Sequence, residues 1–256
     1  MVDHAASAAP APSAEGVPCW VDAQLPDVAA GRRFYGELFG WSYREAYSAP
    51  RTPGTPGTER AASVWAYLGG RPVAGLVPKR DGRMPTVWTV YFAATDASAL
   101  AVRVREAGGQ VITQPLPVDS LGTSVLAADP QGAVFGLWEP GRHPGFGRHH
   151  EVGTFCRAEL FARDPSAGFY EELFGRDAPE AGRNAAETGR GPLAGVFPAE
   201  MPPHFLVHFG VRDCDSALGT VLRLGGRVQA PPFDTSYGRV AVVTDNQGAS
   251  FVLLQR

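Results

Sequence analysis

Four side chains of this sequence have the chemistry to pass a proton to or from a small molecule: Asp22, Tyr91, Glu159 and His208. Alternation turns each away from its apolar neighbours. Val90, Phe92 and Ala94 commit to one side of a strand, so Tyr91 faces the other; Val207, Phe209 and Val211 do the same for His208. Asp22 is set apart in this way from Val21, Ala23 and Leu25, and Glu159 from Ala158, Leu160 and Ala162. Only a bulge would break this period of two. Carboxylate, imidazole and phenol in an aromatic-lined cup are the groups of general acid/base catalysis. His208 with Glu159 is the pair expected to move the proton, with Tyr91 and Asp22 serving another cup or orienting the substrate. The alternative is structural: Arg157 and Glu159 pair with each other or across the molecule, and His208 is a hydrogen-bonded core histidine.

Around these groups, Trp20, Gln24, Thr89, Arg157, Phe161, Leu206, Trp65 and Trp138 are expected to line the substrate site, and His204 to lie within reach of it. Trp20, Trp65, Trp138 and Tyr67 are divided between core and pocket wall. His149-His150 has the residue type of a metal site, but it lies in a Gly/Pro-rich stretch without the rigidity that ligands need.

The elements that must position these side chains occur twice. Phe34-Tyr35-Gly36-Glu37-Leu38-Phe39-Gly40 returns as Phe169-Tyr170-Glu171-Glu172-Leu173-Phe174-Gly175, each a short helix with a buried aromatic face and a glycine stop. Pro72-Val73-Ala74-Gly75 is answered by Pro192-Leu193-Ala194-Gly195, and Asp129-Pro130-Gln131-Gly132 by Asp245-Asn246-Gln247-Gly248. A unit of roughly 110 to 120 residues is too long for a solenoid repeat and reads as a domain-sized module. The division is a disordered tail over 1–15, module one over 16–140, a linker over 141–153 and module two over 154–256.

Within module one, strands are predicted over 20–25, 63–68, 73–77, 87–94, near 111, over 124–127 and over 133–138. Asp27 and Asp96 cap helices, Gly108-Gly109 ends the second, Gly69-Gly70 closes a hairpin, and 50–57 is a mobile loop. Module two repeats this order with a strand over 157–162, the Phe169 helix, a strand over 205–211, a helix over 216–224 and strands to 254. Between Gly175 and Pro192 no alternating run matches 63–68. The fold class is α+β: two tandem modules of βαβββ units, with curved mixed sheets and helices on the outer face.

A chain of 256 residues, 44% apolar, can bury a sizeable core. Its net charge of -3 and pI near 6.1 leave no basic field for nucleic acid or an anionic membrane. No apolar run approaches the roughly 18 residues of a spanning helix. Cys19, Cys156 and Cys214 have no CxxC spacing, and residues 1–15 lack the basic and apolar regions of a signal peptide. A reduced, cytoplasmic protein is expected, either a monomer that is a pseudo-dimer of modules or a homodimer, with a small molecule as partner. Lys79 is the only lysine, a composition that suggests a GC-rich genome such as an actinobacterium's.

The opening strand, Asp27, the Phe34-Tyr35 to Gly40 helix, Gly108-Gly109 and Asp129-Pro130-Gln131-Gly132 together resemble the vicinal oxygen chelate superfamily, which holds glyoxalase I, extradiol dioxygenases and bleomycin-resistance proteins. The resemblance covers 16–256. Cys19-Trp20-Val21-Asp22 with Trp88-Thr89-Val90-Tyr91-Phe92 resembles its tandem-module actinobacterial branch, hydroxylase-like or glyoxalase-like. Metal-dependent members carry ligands at three points of the concave face, which the resemblance maps to Trp20, Thr89 and Gly136 and to Arg157, Leu206 and Val252. None of these is a usual ligand, so neither metal nor cofactor is expected. Three functions follow. The first is a metal-independent enzyme of proton-transfer, cyclisation or lyase type acting on a hydrophobic, aromatic metabolite, as in secondary metabolism. The second is a protein that binds and sequesters a toxic small molecule, and the third a metal-dependent lyase or dioxygenase with displaced ligands.

Overall fold

A computed structural model describes residues 13–46, 63–79, 85–162, 168–175, 196 and 201–256. Strand β1 (Pro18–Leu25) carries Val21, Ala23 and Leu25 on its core face, and its other face is covered too, since Trp20 and Asp22 are also buried. Asp27 then starts α1 (Val28–Phe39): its carboxylate accepts the Ala30 N–H at 2.9 Å, and Gly40, at φ 75°, ends the helix. Both stops are local sequence chemistry.

The first module continues through β2 (Ser42–Glu45), β3 (Val64–Leu68), β4 (Arg71–Pro78), β5 (Trp88–Ala93), α2 (Ala97–Glu106), β6 (Gln110–Val111), β7 (Leu116–Val118), β8 (Gly122–Ala128) and β9 (Val134–Pro140). Gly69 and Gly70, at φ 57° and 77°, make the β3–β4 turn, whose backbone twist suits a tight hairpin. The second module has β10 (Phe155–Phe161), α3 (Phe169–Phe174), β11 (His204–Val211), α4 (Cys214–Arg223), β12 (Arg227–Thr235), β13 (Gly238–Thr244) and β14 (Ser250–Gln255). The short strands β2 and β7 are not foreseen by alternation. The predicted loop at 50–57 and the region between Gly175 and Pro192 lie outside the described residues.

Two curved mixed sheets result. One runs β2-β3-β4-β1-β5-β9-β8-β6, with β7 also on β8; the other runs β10-β11-β14-β13-β12. The repeat is visible in the pairing: β1 is antiparallel to β5 as β10 is to β11, and β5 is parallel to β9 as β11 is to β14.

The aromatic helix faces do not stay within their own modules. Phe34 of α1 meets Phe251, and Phe39 meets Phe209, both on the second sheet, while Tyr35 packs on Trp88 of the first. Reciprocally, Phe174 of α3 meets Phe92, and Phe169 meets Phe135. The modules therefore share one continuous core, each large side chain in it contributing about 1.5 to 3 kcal/mol of transfer free energy. Leu38 departs from the expected pattern, being only half-buried, whereas its counterpart Leu173 is fully buried.

The connector 141–153 is not the loose linker its Gly and Pro content suggests. Phe146 N donates to the Cys19 carbonyl and Gly147 N to that of Pro72, both at 2.8 Å, and His143 and Phe146 are buried. Nor is Glu15 part of a free tail: it pairs with Arg103 at 2.7 Å. The aromatic helices cover one face of each curved sheet, and Asp22 and Tyr91 in the first and Glu159 and His208 in the second lie on the other.

Candidate functional site

In the second module, the β10–β11 register sets Arg157 opposite His208 and Glu159 opposite Leu206, with all four side chains on the concave face. His208 is fully buried and Glu159 is 4% exposed. Oε2 of Glu159 lies 3.6 Å from Nε2 of His208, too far for a hydrogen bond. The imidazole is neutral, because burial pushes its pKa well below the ordinary histidine value and the nearby Arg157 charge acts in the same direction. Neither ring nitrogen has a hydrogen-bond partner among the described residues.

Tyr237, in the turn between β12 and β13, completes this cluster. Its hydroxyl donates to Glu159 Oε2 at 3.0 Å, the Arg157 guanidinium lies 3.9 Å from its ring centre, and the His208 ring packs edge-on to it at 5.9 Å. Leu206, Val242 and Val252 form an apolar floor, with Phe161, Phe233 and Met201 packed against it. His204 stands at the margin, 5.4 Å from the Phe161 ring.

The first module's cup is built differently. Tyr91 donates its hydroxyl to Asp22 Oδ2 at 2.9 Å, while Asp22 Oδ1 has no partner among the described residues. Burial raises the Asp22 pKa to about 7, against the opposing pull of the Tyr91 hydrogen bond. The Tyr91 ring lies flat on Gly136, where an added Cβ would come within 2.1 Å of it. Thr89 is buried directly across from Asp22, and Gln24 is half-buried further along β1. Trp20, Trp65 and Trp138 converge on the imidazole of His143, at ring-centre distances of 4.4, 4.4 and 5.6 Å. The four proton-passing residues are thus two separate pairs, Asp22 with Tyr91 and Glu159 with His208, at equivalent places in the two modules.

Residues 20–137 match the Glyoxalase/Bleomycin resistance protein/Dioxygenase superfamily. The chain is 34% identical to the putative glyoxylase CFP32 of Mycobacterium bovis, covering 94% of this chain and 95% of that one. It belongs to this superfamily. It is also 34% identical to the anthracycline biosynthesis protein DauV of a Streptomyces species, over 94% of both chains. Among solved structures, the Mn(II)-bound glyoxalase of Novosphingobium aromaticivorans has the same fold, with a TM-score of 0.57 at 14% identity over 94% of this chain and 83% of that one.

The superfamily's metal position does not fit the residues found here. The register aligns Trp20 with Tyr91 and Tyr91 with Gly136, and Arg157 with His208 and His208 with Val252. The middle places are therefore Tyr91 and His208, two residues on from Thr89 and Leu206. Of these six residues only His208 carries a usual ligand for a divalent ion, and a single imidazole between guanidinium and valine does not make a site. No cluster of three or more His, Cys, Asp or Glu suited to a metal occurs among the described residues. No helix among them is long and apolar enough to cross a membrane.

Two residues of the cups escape sequence reading. Laying the Asp129 turn on the Asp245 turn brings Ser120-Leu121-Gly122 over Ser236-Tyr237-Gly238, so the repeat could have placed Tyr237. For His143 no such signal exists, because the connector has neither period nor counterpart.

Proposed function

We propose that this chain is a metal-independent acid/base enzyme acting on a small, flat, hydrophobic metabolite in the second module's cup. The observation that carries this reading is His208: a buried, neutral imidazole on the concave face, with neither ring nitrogen bonded among the described residues and a carboxylate 3.6 Å away. A neutral imidazole can take a proton from carbon or oxygen of a bound substrate, and the Glu159 carboxylate then balances the imidazolium that forms. Tyr237 holds that carboxylate in place through its hydroxyl. The apolar floor of Leu206, Val242 and Val252 suits an aromatic ring, and excluding water there strengthens each charge interaction. The kinship with a protein named for anthracycline biosynthesis supports a polyketide-like aromatic ketone as the substrate class.

The reaction class is proton transfer next to a carbonyl, with cyclisation or elimination as its extension. Incubation with aromatic polyketide ketones in heavy water tests it, by following deuterium uptake at the carbon beside the carbonyl. Wild type should exchange, and His208→Ala should do so about 100-fold more slowly or worse while still binding. Saturable binding without exchange in wild type would instead support a sequestering role.

A further inference from the structure

The first module's cup is already filled, and the occupant is the protein's own. His143 reaches it from the connector, 5% exposed, and its ring stacks on Trp65 at 27° and stands edge-on to Trp20 at 89°, with Trp138 closing the third side. These indoles come from three different strands, β1, β3 and β9. The Asp22–Tyr91 pair adjoins Trp20, which stands across from Tyr91, and Gly75 on β4 leaves the space that a side chain would take from Asp22 and Trp20, its missing Cβ lying 3.1 and 3.4 Å from them.

As a permanent plug, His143 is poorly made. Its Nε2 is buried without a partner among the described residues, and so is Oδ1 of Asp22. A polar atom in that state destabilises the closed arrangement. The backbone of the same residue is, by contrast, well held: its N–H donates to the Leu121 carbonyl at 3.1 Å, and its carbonyl accepts the Trp138 indole N–H at 2.8 Å. The connector is thus anchored independently of the imidazole.

We propose that the first module's cup is a second ligand site held shut by its own chain, in which His143 occupies an aromatic box that takes a flat ring bearing an N–H or O–H donor. The incoming ring replaces the imidazole between the indoles and gives its donor to the unpartnered oxygen of Asp22. No covalent step is involved. The site shares no residue with the Glu159–His208 cluster, so this inference stands or falls apart from the proposed chemistry there.

The test uses indole, a flat N–H donor that does not titrate, with the full-length protein and calorimetry. Wild type must first expel its own side chain, so its apparent affinity is reduced by the closed fraction. His143→Ala should bind indole about tenfold more tightly than wild type or better, and adding Trp65→Ala should abolish the gain. Equal affinity in wild type and His143→Ala, or a gain that survives Trp65→Ala, overturns the proposal. Should His143→Ala fail to fold, proton NMR of wild type decides. Saturating indole should move the His143 ring protons from positions shifted by the surrounding indoles to those of a solvated imidazole. Ring protons that stay shifted while indole binds overturn the proposal.

Discussion

Tyr35 donates its hydroxyl to Oδ2 of Asp245 at 2.8 Å, across 210 positions of sequence. Tyr170 makes the reciprocal bond to Oδ2 of Asp129, at 3.2 Å. The two motifs that repeat most plainly in the sequence, the aromatic helix and the Asp-x-Gln-Gly turn, are therefore partners across the modules and not within them. The contact extends at one end: Trp88 Nε1 donates to the Tyr35 oxygen at 3.1 Å, and Gln247 exchanges two bonds with the backbone of Asp27.

Tyr35→Phe strands an indole N–H and a carboxylate oxygen together. It should lower the unfolding free energy by about 1 to 3 kcal/mol, the cost of buried groups left without partners. Because the core is shared, wild type should unfold in one transition by both fluorescence and circular dichroism. Two resolved transitions, or halves that fold alone with the stability of the whole, would contradict the shared core.

Position within the helix should separate two neighbours. Phe39, buried between Phe209 and Phe251, should cost about 3 to 5 kcal/mol when changed to Ala, and half-buried Leu38 distinctly less. Denaturant titration of Phe39→Ala and Leu38→Ala measures the order, and equal losses would mean that the helix is rotated from the orientation described.

Asp22 sets a stability trend on the alkaline side. Its folded pKa of about 7 lies above the ordinary carboxylate value of 3.8, so the fold favours the protonated form. That contribution is complete below the ordinary value and is lost as pH rises through about 7. Asp22→Asn keeps an acceptor for Tyr91 and cannot ionise, so it should match wild type near pH 4 and exceed it by about 2 to 4 kcal/mol at pH 8. Melting curves across that range suffice, and a constant difference would argue against an ionising Asp22.

His143 acts on the acid side. Burial depresses its pKa from 6.5 to about 4, so its contribution is complete above 6.5 and is lost as pH falls toward 4. His143→Ala should flatten the wild-type decline in melting temperature over that interval.

For the second cup, the pH–rate profile is the sharper instrument. His208 stays neutral to well below its ordinary pKa, so the acid limb of turnover should lie below pH 6.5. Removing the guanidinium with Arg157→Gln removes a charge that disfavours imidazolium, so the limb should move upward. A limb that does not move would detach Arg157 from the titration of His208.

Local chemistry was legible in the sequence, and long-range assignment was not. Asp27, Asp96 and Gly40 act on groups within four residues, and each caps or stops its helix as read. Alternation along β5 and β11 sets Tyr91 and His208 on the opposite side from their apolar neighbours, because the bulges beside them put the extra residue, Cys19 or Cys156, in the partner strands β1 and β10. The repeat showed that two modules exist, but a repeated motif reads the same whether it bonds inside its own copy or in the other one. His143 was invisible for another reason: a segment shaped by Gly and Pro is positioned by hydrogen bonds to distant backbone, to Leu121, Cys19 and Pro72, which leave no periodicity.

The contact of the Tyr91 ring with Gly136 ties the choice of residue at each position to the other. A carboxylate or imidazole at position 136 would offer a metal ligand on this strand, yet its first carbon would lie 2.1 Å from the Tyr91 ring. Shrinking Tyr91 first strips Asp22 of its hydroxyl donor and leaves an acid buried without a partner. A side chain at position 136 therefore requires a change at position 91, and that change in turn requires a new partner for Asp22.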